Sequence, residues 1–77
     1  MNSFHLNKSQ SYIHFNLEPE ITEVIVYNIL GEIENILKVS TNAEKKMPIK
    51  HLSAGQYLIK LMKHQKVAEG YKIVLKK

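Results

Sequence analysis

Gln56-Tyr57-Leu58-Ile59-Lys60-Leu61-Met62, framed by Ser53-Ala54-Gly55 before it and Gly70 after it, can be laid out in two ways, and the fold turns on which one holds. As a strand, Tyr57, Ile59 and Leu61 point one way while Leu58, Lys60 and Met62 point the other. As a helix, Ser53 caps with Gln56 answering at the third position, and Leu58, Leu61, Met62 and Gln65 form a stripe ending at Gly70. Propensity leans to the helix, because Leu, Lys, Met, Gln, Ala and Glu predominate. The local residues leave both layouts open.

Upstream the pattern is plainer. Glu23-Val24-Ile25-Val26-Tyr27-Asn28 is dense in β-branched and aromatic side chains that suit a pleated, well-buried position, with Val24 and Val26 on one face and Ile25 and Tyr27 on the other. Asn28 and Gly31 mark the turn out of it, and 32–39 reads as the return arm of a hairpin. Before it, Ile13, Phe15 and Leu17 alternate with His14 and Asn16 until Pro19 ends the run. Residues 1–11 are polar apart from Phe4 and Leu6 and read as a flexible tail or linker, leaving 12–77 as the domain. Downstream, Met47 to Leu52 reads as a short edge element because Pro48 has no N–H for a ladder. Tyr71, Ile73 and Leu75 share one face of a final strand. If that strand pairs with 57–62, His64-Gln65-Lys66 is the turn between them.

The 77 residues allow one small domain with no room for a second core or a large closed cavity. Cysteine is absent and the four histidines are dispersed, so neither disulfides nor a cysteine-based zinc site can staple the fold. No window approaches the length of a membrane-spanning helix. The basic residues are all lysine, 11 against 7 glutamates. The excess is concentrated after Gly31, which favours an anionic partner. The absence of Arg argues against nucleic acid, since the bidentate fork that reads bases and phosphates is missing.

Catalytic and cofactor chemistry is not encoded in a recognisable form. Glu18 with Glu20, and Glu32 with Glu34, lie two residues apart and read as solubilising pairs beside turns. The histidines have no ligand spacing, and Gly31, Gly55 and Gly70 are isolated glycines suited to turns rather than a phosphate loop. No catalytic residue, metal or cofactor is expected.

Three blocks occur in order: Val24-Ile25-Val26-Tyr27-Asn28-Ile29-Leu30-Gly31-Glu32, Leu52-Ser53-Ala54-Gly55-Gln56-Tyr57-Leu58-Ile59-Lys60-Leu61, and Tyr71-Lys72-Ile73-Val74-Leu75-Lys76-Lys77. Together they resemble the type A C-terminal sorting domain of the type IX (Por) secretion system of Bacteroidetes, over roughly 12–77. The chain departs from that family in lacking a short Pro-Asn-Pro segment before its first strand. The resemblance implies an all-β fold, a small antiparallel, Greek-key-like β-sandwich of six or seven strands, and with it the strand layout of 56–62.

It also implies a non-catalytic sorting signal for attached N-terminal cargo. The partners would be the outer-membrane secretion machinery and a sortase-like protease, with passage through the periplasm to the medium or cell surface. Its recognition surface would involve Gly31, Gly55 and Tyr57, which hold the fold, and Lys72, Lys76 and Lys77, which present charge. Two other functions fit the residues: a sandwich module for adhesion or self-association through Ile25 and Tyr27 or the edge beside Pro48, and a nucleic-acid binder using the basic C-terminal half.

Overall fold

The computed structural model describes residues 1–7, 11–41 and 45–76. Seven strands follow one another: β1 (Ser3–Asn7), β2 (Tyr12–Asn16), β3 (Glu23–Asn28), β4 (Ile33–Lys38), β5 (Lys46–Pro48), β6 (Gly55–Lys63) and β7 (Lys66–Leu75). A 3-10 turn, Val39–Thr41, follows β4. One sheet has the order β1-β2-β5 and the other β4-β3-β6-β7, with every pairing antiparallel. The chain changes sheets after β2, after β4 and after β5, so β6 returns to lie beside β3. This is the expected small antiparallel sandwich.

The ambiguous stretch is the central strand β6, held by β3 on one side and β7 on the other. Burial explains why propensity loses. In the strand Tyr57, Ile59 and Leu61 all enter the core, Ile59 with no exposure at all, whereas the helical stripe would have left Tyr57 and Ile59 outside it. Val24 and Val26 of β3 face them from the neighbouring strand and are equally sealed. The opposing sheet contributes Ile13, Phe15 and Met47, and all belong to one core cluster.

Two expectations need correction. Residues Ser3–Asn7 are not tail: they form β1, paired with β2 from Ser3 opposite Asn16 to Asn7 opposite Tyr12. Phe4 and Leu6 supply the reason, because they alternate with His5 and so turn a short apolar row onto the core. The Phe4 ring lies 5.9 Å from Phe15 and meets Tyr71 edge-on at 5.2 Å. Gly70 is likewise no turn residue but lies inside β7, opposite Lys60. The last strand therefore starts at Lys66, five residues earlier than its apolar alternation indicates, and the β6–β7 turn narrows to His64 and Gln65.

The β3–β4 and β6–β7 turns each have a defined local geometry. Asn28 at the end of β3 accepts from the backbone N–H groups of Leu30 and Glu32 through its side-chain oxygen, at 2.9 and 3.0 Å. Gly31 adopts φ +83°, a conformation that costs any residue with a Cβ. His64 and Gln65 take φ +49° and +71°, the double left-handed pattern of a two-residue type I′ hairpin, without glycine at either place.

Candidate functional site

The two outer faces of the sandwich differ in character. On the three-stranded sheet, outward positions hold Ser3, His5, Tyr12, His14, Asn16 and Lys46, and the polar groups meet across strands. His5 and His14 stack with ring centres 5.0 Å apart. On the four-stranded sheet the outward row is Ile25 and Tyr27 of β3, Ile36 of β4, Leu58 and Lys60 of β6, and Lys72 and Val74 of β7. Ile36 and Val74 are about half exposed, and Ile29 and Leu30 at the β3–β4 turn more so. Within the chain, nothing among the described residues forms a layer over this face.

At one end of that face a groove of about 580 Å³ opens between the Asn28–Gly31 turn and the C-terminal half of β7. Tyr27, Leu58 and Val74 form its apolar floor, and Lys60 and Lys72 are its charged lining. Register explains the grouping, since Tyr27 lies opposite Leu58 and Leu58 opposite Lys72, giving one row across three strands. The Lys60 ammonium sits 4.7 Å from the centre of the Tyr27 ring, a cation–π contact that lays its stem along the floor. At the turn side of the groove the Asn28 side-chain amide donates to the Glu32 and Glu34 carboxylates, each at 2.9 Å.

Of the six recognition residues named from sequence, Gly31, Tyr57 and Lys72 line this groove together. Gly55 begins β6 at φ +152° opposite Leu75, beside the groove and not in its lining. Tyr57 is buried in the core, and its hydroxyl donates to the Ser53 carbonyl at 2.7 Å rather than being left to water. That bond ties the turn before β6 to the strand. Lys76 is exposed just past the end of β7 and stands apart from the groove, and Lys77 lies outside the described residues. Sequence reasoning missed Leu58, Lys60 and the side-chain role of Asn28. Alternation within β6 puts Leu58 and Lys60 on the face opposite Tyr57 and Ile59, but their place beside Tyr27 and Lys72 comes from the cross-strand register.

A second polar cluster lies toward the other end of the sheet. The buried Asn2 side chain accepts from the Glu18 backbone N–H at 2.7 Å and donates to the Glu18 carboxylate at 2.9 Å and to Glu69. The Tyr71 hydroxyl also donates to Glu69. These bonds, from Tyr71 first and Asn2 second, hold the Glu69 carboxyl below its ordinary 4.5, and the same carboxylate raises the Tyr71 hydroxyl above its ordinary 10.0. The arrangement links β7 to the residues flanking β1 and β2.

The strands and groove define a small two-layer β-sandwich with an apolar, lysine-flanked outer groove. The chain belongs to the secretion system C-terminal sorting domain family, whose sequence pattern matches residues 7–76. It is accordingly a C-terminal sorting signal for type IX secretion, which implies interaction with that machinery and export to the medium or the cell surface. The family is a sorting family and not a catalytic one. No curated protein and no solved structure matches the chain.

Proposed function

We propose that the sandwich acts as a folded address presented to the outer-membrane secretion machinery after an attached cargo has reached the periplasm, and that a sortase-like protease then removes it. The groove beside Lys72 and the lysines that close the chain form the recognised surface. The observation that carries this reading is the gathering of Gly31, Tyr57 and Lys72, residues drawn from all three family-like blocks, around one groove. Gly31 and Tyr57 act through shape: one sets the turn that forms the groove wall, the other locks the start of β6. Lys72 and Lys76 act through charge, which gives orientation and rate of encounter more than raw affinity.

The test is export of a periplasm-targeted reporter carrying residues 1–77 at its C-terminus in a type IX host. The reporter is expected at the surface or in the medium, and Lys72→Glu combined with Lys76→Glu is expected to strand it in the periplasm while the domain stays folded. Unchanged export of that double variant would remove the lysines from the recognised surface.

A further inference from the structure

We propose that the open edge of β7, with the outward Lys72 and Val74 beside it, is a docking site for an extended acidic strand of a partner protein; this deepens the sorting reading and rests on it for its biological setting. β7 is ten residues long and is the outermost strand of its sheet, so its side away from β6 has no strand partner among the described residues. An exposed edge of that length is ordinarily blunted or covered. A strand laid on it gains main-chain hydrogen bonds, and its alternate side chains fall on the outer face beside Lys72 and Val74.

Charge selects the occupant. Lys72 makes no ion pair among the described residues, and Glu32 and Glu34 are hydrogen-bonded to Asn28 on the β3–β4 turn, across the groove from β7. A carboxylate on the incoming strand therefore meets Lys72, and an apolar side chain two positions along meets Val74, which is 53% exposed. A second copy of this chain on the same edge would bring together two β7 strands that each carry Lys66 and Lys72 against a single Glu69, a like-charged excess that disfavours it. A bilayer is disfavoured too: anionic lipid surfaces are held by clusters of about four to eight basic residues, and the groove holds Lys60 and Lys72.

The experiment titrates the full chain into a fluorescein-labelled peptide Thr-Glu-Thr-Val-Thr-Glu-Thr, whose acidic and apolar positions share one face in either strand direction. The control peptide has Lys in place of both Glu residues. Saturable anisotropy for the acidic peptide alone is expected, with amide shifts in β7 but not in β2 or β5. Lys72→Glu is expected to weaken binding about fivefold. Val74→Glu, on the same exposed row, gives an independent second variant, and circular dichroism checks that both fold. Equal binding of the lysine peptide, no loss in either folded variant, or binding only to phosphatidylglycerol vesicles would overturn the proposal. Loss of peptide binding in Lys72→Glu with intact reporter export would uphold the docking site and detach it from sorting.

Discussion

Asn28 does more than any other single side chain to shape the groove. Its oxygen satisfies two turn N–H groups and its amide restrains two carboxylates, so its removal releases the β3–β4 turn and frees Glu32 and Glu34 toward the lysines. Asn28→Ala is expected to lower stability by about 1–2 kcal/mol in urea unfolding, the scale of a few exposed or half-exposed hydrogen bonds. Asn28→Asp keeps the acceptor but places a third carboxylate against the other two. It is expected to be destabilised as well, with a deficit that shrinks as salt is added. Glycine at position 31 follows from the φ of +83° alone, because no heavy atom lies within 4 Å of a Cβ built there.

At the level of elements, the β6–β7 hairpin carries a strained connection. His64 and Gln65 both occupy left-handed backbone that Asn-Gly tolerates far better, so the pair His64→Asn and Gln65→Gly is expected to raise stability by about 1 kcal/mol in urea or thermal unfolding. The place of this turn was legible in the sequence as a polar break between two alternating runs, but its tightness was not, because neither residue announces a type I′ turn. Strand β3 was legible from its β-branched run and the inward parity of β7 from alternation, whereas β6 was left open between strand and helix by its own residues and became a strand only through the family resemblance. β1 was missed because its signal is only Phe4 and Leu6 in a polar stretch, and its strand character comes from β2 across the ladder rather than from its own residues. The groove was half legible: Gly31, Tyr57 and Lys72 were named, yet Leu58 and Lys60 join them only through a register that local sequence does not carry.

For the whole molecule, β1 converts a partly open layer into a covered one. Residues 12–77 alone leave β2 as an edge and uncover the Phe15 and Tyr71 contacts of Phe4, so that fragment is expected to be less stable than 1–77 by about 2–4 kcal/mol, the scale of truncating a large apolar core contact. A thermal melt of the two chains checks it. The Asn2–Glu69–Tyr71 cluster gives stability a pH window. Glu69 titrates lower in the folded chain, so its contribution is present above 4.5 and disappears as pH falls through the depressed folded value. Tyr71 titrates higher, so its contribution is present below 10.0 and disappears as pH rises through the elevated folded value. Unfolding midpoints against pH should show a plateau between those limits, and Glu69→Gln should flatten the acid side of it.

The position of Asn2 has a spatial consequence. It is anchored to Glu69, which pairs with Leu61, whereas the groove is centred near Tyr57 and Ile73, four residue steps along the same strand or about 13 Å. A polypeptide joined ahead of Asn2 therefore departs near the Glu69 end of β7, away from the rim where the groove opens.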